Sequence, residues 1–429
     1  MKVQVAFDYT EADGALLLVP GRNLTTGVKD FSAEHGSPTS LEEDLLLLAS
    51  SVYASDVAVK RGQRLSISRD FRLTLPLVNH HLFERLRPEI ELCLSLLSDD
   101  NWDLCFVPRA GEQNARPGHL GGVGKTLLFS GGLDSFAAAV DYLDNKENIH
   151  LVSHVTSSSA VRVPQEELHN YLVSKYGTLA RTALRIVGKP NDEVPFPADH
   201  EREPTQRTRS FLFLSIAGLV ARRSGFSEVV LIGENGQMAI HLPLSAARQG
   251  AFSTHTADPE FLSRMQGILS TLLDFPITIT NPYLYKTKAE VISNVAKQHV
   301  GAVAKTISCW KAARVFGDAT HCGECVPCLV RRIACEHNGL DVRSEYASDI
   351  LAQPYSGLPD AEGRRNLQEL VEFATRFERA SSSAELESPF PELVSDHFSQ
   401  DDAVSMYKRF AAEALTVLRR YPGLLDLLK

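Results

Sequence analysis

The stretch "TLLFSGGLDSFAAAV", Thr126 to Val140, leaves the chain few ways to fold. Four strand-forming residues run into Ser130-Gly131-Gly132, and an Ala-rich helical segment follows at once. A strand that turns into a helix over two glycines is half of a βαβ unit, whose crossover brings the next strand back parallel. Two glycines let the backbone approach a ligand closely and take conformations closed to other residues. Around Leu133, their N–H groups and those of the first helical turn make an anion nest that the helix dipole strengthens. Ser130 and Ser135 add hydroxyl donors. Asp134 alone would repel a phosphate, so its presence implies a bridging Mg²⁺. The competing reading is an ordinary strand-to-helix turn capped by Asp134 or Ser135. The six-residue pattern in this setting argues against it.

Just upstream, "GGVGKT" imitates the end of a P-loop. The full motif needs a Gly at position 119, where His119 stands, and a helix after Lys125-Thr126, where a strand follows. Register and context both fail, so Lys125 is expected to bind no nucleotide.

The same alternation continues downstream. "IHLVSHV", "ALRIVG" and "EVVLIGE" read as strands, and helices are expected through "PQEELHNYLVSKYG" and from Phe211 to Arg223. The fold class is α/β, a parallel sheet with helices on both faces. Residues 1–120 read as an α+β domain. Within it, Ser40 and Glu43 suggest a capping box, "RLSISRDFRLTLPLV" one or two half-buried strands, and Pro88 to Leu97 a helix. Residues 125–340 form the α/β unit, and 341–429 a helical C-terminal extension with a polar break at "ASSSAELESPFPE".

Composition limits the function classes. A formal charge of -9 argues against a general nucleic-acid binder. No apolar run reaches the roughly 20 residues that span a bilayer, and "MKVQVAFDYT" lacks the pattern of a signal peptide. Four of the seven cysteines cluster late, which fits metal binding in a reducing, cytoplasmic setting better than a disulfide framework. Cys309, Cys322, Cys325 and Cys328 supply four thiolates, which close a tetrahedral Zn²⁺ shell and leave no position for a reactive water. A redox pair would not need the other two cysteines.

The Ser130–Ser135 loop resembles the PP-loop of N-type ATP pyrophosphatases, a group that includes GMP, asparagine and NAD synthetases. The resemblance implies that the loop holds the pyrophosphate leaving ATP while a substrate oxygen takes AMP. Cys-x12-Cys-Gly-x-Cys-x2-Cys, about 175 residues later, is similar to the 7-cyano-7-deazaguanine synthase (QueC) family. "TQRTRSFLFLSIAGLVA" matches that family at Arg209, "LIGENG" at Gly233 and Asn235, and "PYLYKTKAEVI" at Lys288. The resemblance covers about residues 125–340. It implies adenylation of a 7-deazaguanine carboxylate by ATP, then amide and nitrile formation. Asp134, Arg209 and Lys288 would be catalytic, the cations neutralising charge at the α-phosphate.

The match weakens at "GQMAIHLPLSAARQGAFSTHTADPE", where Arg248 and His255 stand out among the polar candidates for binding the base. Long chains of this architecture also resemble the QueC-like component of bacterial anti-phage systems such as Qat. That resemblance implies a partner protein whose amine could replace ammonia, and it leaves a homo-oligomer open. A tRNA-base modifying enzyme and a non-catalytic nucleotide-binding scaffold are the rival readings.

Overall fold

The computed structural model describes residues 1–7, 14–62, 68–112, 122–156, 158–230, 235–245, 255–315, 318–359 and 361–429. Two sheets organise it. The first, in the order β2-β1-β4-β5, comprises β1 (Lys2–Val5), β2 (Leu16–Leu18), β4 (Asp70–Leu77) and β5 (Asn101–Pro108). All its pairings are parallel. Phe71, Leu73, Leu75 and Leu77 alternate inward along β4, and Phe71 stacks on its registered partner Trp102 at 4.4 Å.

The second sheet has the order β10-β9-β6-β7-β8-β3. Its central strands are β6 (Lys125–Leu128), β7 (Ile149–Val155) and β8 (Ala180–Gly188), with β9 (Glu228–Val230) and β10 (Thr278–Thr280) beyond β6. These five run parallel, as the alternation with helices requires. At the far edge β3 (Leu24–Thr26) pairs antiparallel with β8. The N-terminal segment thus contributes a strand to the sheet that carries the SGGLDS loop. The molecule is an α/β protein with mainly parallel sheets flanked by helices, a Cys-containing loop and a helical C-terminal region.

The helix Ser40–Ala58 is buried at every position except Glu43, as expected of an element enclosed on all sides. Its apolar residues share one core with Phe211 to Ala221 and with β4 and β5. Its cap lies one residue earlier than Ser40/Glu43. Thr39 and Glu42 form the capping box, and Arg223 grips Glu42 from across the core. The helix expected from Pro88 to Leu97 begins eight residues sooner and runs His80–Ser98 through Pro88. Phe83, Ile90, Leu94 and Leu97 keep one buried face through it, and that packing overrides the proline.

A third core joins the helix Val326–His337 to the C-terminal helices Glu362–Arg379 and Gln400–Leu418. Among the described residues no helix is long and apolar enough to cross a membrane.

Candidate active site

The SGGLDS loop leaves the carboxyl end of β6, where parallel α/β sheets present their ligand crevices. Gly131 has φ +80°, a left-handed conformation, and a Cβ there would stand 3.1 Å from the Cα of Gln165. Only glycine fits that turn. Gln165 donates to the Phe129 carbonyl at 2.9 Å and accepts from Arg181 at 3.0 Å, bracing the loop from beneath. Ser130 Oγ accepts from the Gly132 amide at 3.2 Å and lies 3.2 Å from Ser135 Oγ, which donates to the Gly132 carbonyl. The helix Leu133–Asp144 then starts without a side-chain cap. The first-turn amides of such a helix lack intrahelical partners and lie at the positive end of its dipole.

Asp134 is buried, and both its oxygens are held. Lys288 Nζ donates to Oδ1 at 2.7 Å, and Asn235 Nδ2 to Oδ2 at 2.9 Å. The aspartate that from sequence implied a bridging Mg²⁺ therefore has a lysine as counter-ion. Lys288 is the first residue of the helix Lys288–Gln298, which Thr287 and Glu290 begin with a capping box. Its backbone amide donates to Gln237 Oε1 at 2.9 Å, and Gln237 N donates to Asn235 Oδ1 at 3.1 Å. Asn235 thus caps one short turn and ties it to the loop aspartate. Three distant stretches meet in one bonded cluster.

Arg209 is the first residue of the helix Arg209–Ser224. Asp56 fixes that helix start by accepting from the Thr208 amide at 2.8 Å and hydroxyl at 3.0 Å. The guanidinium of Arg209 lies 5.1 Å from the Phe213 ring centre and forms no ion pair among the described residues. The side chain is half-buried. Burial pushes its pKa down, and only Tyr53 opposes that. His154, next to the last residue of β7, packs edge-on to Tyr53 at 5.2 Å. Burial, with Arg209 nearby, pulls His154 down to about 3, so its ring is neutral. Among the described residues, His154 Nδ1, Thr156 Oγ1 and Arg209 Nε are buried without a hydrogen-bond partner. Such unsatisfied polar atoms are costly, and a polar ligand would satisfy them.

The sulfurs of Cys309, Cys322, Cys325 and Cys328 lie within 4.8 Å of one another. The separations Cys309–Cys325, Cys322–Cys328 and Cys325–Cys328 are 3.9, 3.8 and 3.3 Å. A tetrahedral Zn²⁺ with Zn–S of about 2.3 Å sets sulfurs about 3.8 Å apart, so the donor set fits. Lys311 N and Cys325 N donate to Cys309 and Cys322 sulfurs, as thiolates attract amides. The cluster also reaches the loop: Ile307 N, two residues before Cys309, donates to the Gly131 carbonyl at 3.2 Å. Cys335 is buried outside the group and accepts from Arg331.

Other sequence candidates lie elsewhere. Gly233 and Arg248 fall outside the described residues. No hydrogen bond joins the His255 ring to the Asp134 cluster among the described residues, and Asp258 caps the helix Pro259–Leu273. A second group of potential ligands, Glu34, His35 and His150, converges on Thr182 Oγ1, 2.7 and 2.8 Å from the two imidazoles. Arg223 stands beside it, which favours a hydrogen-bonded hub over a cation site. Sequence reading passed over Gln165, Arg181, His154 and Tyr53, whose roles depend on contacts far apart in the chain.

A family model described as Queuosine biosynthesis protein QueC matches residues 125–339. A 7-cyano-7-deazaguanine synthase of Rhizobium rhizogenes is 25% identical over 244 residues, 52% of this chain and 92% of that protein. One from Rhizobium leguminosarum bv. trifolii is 25% identical over 241 residues, 51% of this chain and 90% of its own. One from Sinorhizobium fredii is 27% identical over 162 residues, 36% of this chain and 61% of its own.

Proposed function

The chain belongs to the Queuosine biosynthesis protein QueC family, and from that premise we propose that it uses ATP to activate a 7-deazaguanine carboxylate. A carboxylate oxygen attacks the α-phosphorus, the α–β P–O bond breaks, and pyrophosphate leaves. An amine nitrogen then attacks the acyl carbon, AMP departs, and a proton is lost to give the amide. Where the amine is ammonia, a second adenylation, on the amide oxygen, would allow loss of AMP and both amide protons to give the nitrile. The observation that carries this reading is the convergence of Asp134, Lys288 and Asn235 beside the uncapped start of Leu133–Asp144.

In this reading Ser130, Gly131, Gly132, Leu133 and Ser135 cradle the pyrophosphate with backbone amides and hydroxyls. Lys288, released from Asp134 or shared with it, offsets charge that develops at the α-phosphate. Arg209, beside His154, supplies a second cation or a partner for the substrate carboxylate. Asn235 orients Asp134, and Gly233, Arg248 and His255 are the candidates for binding the base. Mg²⁺ would accompany the nucleotide and neutralise phosphate charge. Zn²⁺ in the four-cysteine shell would be structural, with no open position for chemistry.

The acceptor amine is ammonia or, in an anti-phage setting, an amine of a partner protein. The regions flanking residues 125–339 support the second option by offering surface beyond the matched domain. Incubation with ATP, 7-carboxy-7-deazaguanine and ammonium should yield AMP and pyrophosphate by ³¹P NMR, and an amide or nitrile by mass. ADP and phosphate as the products would sink the adenylation reading. Adding candidate partners and recording intact masses tests the acceptor, and free nitrile alone would exclude the protein amine.

A further inference from the structure

The C-terminal helix Gln400–Leu418 lies outside the matched domain, yet it seals the back of the Asp134 cluster. Glu413 is buried, and its Oε1 accepts the Thr287 hydroxyl hydrogen at 2.8 Å. The same Thr287 oxygen accepts from the Glu290 amide at 3.1 Å, capping the helix that starts at Lys288. One turn earlier, Arg409 donates to the Tyr285 carbonyl and to Glu290 Oε1, both at 2.7 Å. Tyr407 places its hydroxyl 3.2 Å from the Gln237 carbonyl and accepts from Leu242 N at 3.3 Å. A Cβ on Gly236 would stand 2.3 Å from the Leu284 carbonyl oxygen and 3.0 Å from Met406. The turn of Asn235 and the helix start of Lys288 are therefore both pressed against this one helix.

A hydroxyl has a single hydrogen. When Glu413 takes it, the lone pairs of Thr287 Oγ1 are left to the helix amide, so the cap has one orientation. Lys288 is the next residue, and its backbone amide is fixed at the same time by Gln237. We infer that Glu413 is a positioning residue. Acting through Thr287, it holds the helix start from which Lys288 reaches Asp134, and so makes the C-terminal extension part of the active site. The inference rests on the proposed role of Lys288 and adds a contribution from outside the family domain.

The test uses the full-length protein, with Glu413→Met, Glu413→Gln, Thr287→Val and the double variant Glu413→Met/Thr287→Val. Glutamine keeps an oxygen acceptor of the same reach, whereas methionine keeps only the shape. Glu413→Met should lower kcat for AMP formation about tenfold with KM for ATP within about twofold, since misplacement of a catalytic group acts mainly on the chemical step. Glu413→Gln should recover most of that loss. The double variant should be no worse than the more impaired single one, because both act through the same bond.

A second readout does not depend on activity. Labelling Lys288 with an amine-reactive acylating reagent, followed by peptide mass mapping, reports how firmly it is held. Acylation should be at least fivefold faster in Glu413→Met than in the wild type or Glu413→Gln. Equal labelling in all variants would overturn the inference. So would a glutamine variant as impaired as the methionine one, or additive losses in the double variant. If no variant makes AMP but Lys288 labelling follows the expected pattern, the positioning stands and the adenylation reading falls.

Discussion

Strand β6 carries a glycine-rich turn at each end, and the two do opposite work. Before it, Gly122 and Gly124 leave room for packing: a Cβ on Gly124 would meet the Asn148 carbonyl and the Phe226 ring, each at 2.7 Å. Lys125, at that end, pairs with Glu228 at 2.5 Å and Glu147 at 3.5 Å. After the strand, Gly131 takes a left-handed conformation and the chain opens a helix that has no side-chain cap. There the lysine is Lys288, from a distant helix, held on buried Asp134. Glycine and lysine by themselves therefore do not give the two ends the same local structure. What separates the two ends is the element that follows, a strand after Lys125 and a helix N-terminus after Gly132.

The largest expected contrast is between the two lysines. Lys288→Ala should lower AMP and pyrophosphate formation about 100- to 1,000-fold, the range for removing one preorganised donor to a developing charge. The same replacement leaves Asp134 buried without its counter-ion, so a fall in stability should accompany it. Lys125→Met should keep kcat within about twofold. Equal losses in a pyrophosphate-release assay would remove the distinction between the two ends.

Next in size is the cysteine cluster, which reaches the loop through Ile307 and Gly131. The unaltered protein should carry about one equivalent of zinc by elemental analysis, and Cys325→Ser close to none. The substitution should also weaken ATP binding at least tenfold by calorimetry. Loss of zinc with unchanged ATP affinity would break the link between metal and loop.

The glycines sharpen the comparison further. Gly131→Ala places a side chain in a left-handed conformation, costing about 1–2 kcal/mol, and moves the loop proposed to cradle pyrophosphate. ATP affinity should drop about tenfold. Gly124→Ala should lower Tm through its clash with Phe226 but leave ATP affinity of the folded protein unchanged. The opposite pattern would assign nucleotide binding to the upstream turn.

Much of the second end was legible in the sequence, because its determinants are local. The strand, the two glycines, the Ala-rich helix and the four-cysteine spacing each specify their own conformation. The match of "PYLYKTKAEVI" marked Lys288, whereas the Thr287/Glu290 cap that starts its helix emerged only with the structure. What was not legible depends on contacts between distant segments. The pairing of Lys288 with Asp134 spans 154 positions, and that of Glu413 with Thr287 spans 126. β3 left no local sign that it would join the larger sheet, since three residues with two threonines suit almost any edge. Pro88 misled because local propensity marks a helix start, whereas the buried face of His80–Ser98 decided the outcome.

A smaller effect concerns pH. Burial raises Glu413 to about 7, above its ordinary value of 4.5. A carboxyl with a raised folded-state pKa favours folding most at low pH, and that contribution is lost as pH rises through the folded value. Glu413→Gln removes the titration. Its Tm relative to the wild type should therefore rise by a few degrees between pH 5 and pH 8. A constant difference across that window would mean that Glu413 does not titrate there in the folded protein.

The smallest effect belongs to Lys125. Its bond to Glu228 raises its pKa, so the pair is intact at neutral pH and its contribution fades only as pH rises past the lysine's own range. The side chain is partly exposed and Glu228 more so, so water screens the attraction. Such pairs contribute about 0–1 kcal/mol. Lys125→Met should cost no more than that in urea titration, and the loss should shrink in 1 M salt, where the Debye length falls to about 3 Å. A loss above about 2 kcal/mol that persists in salt would mean that Lys125 is a buried structural cation. The contrast with Lys288 would then rest on catalysis alone.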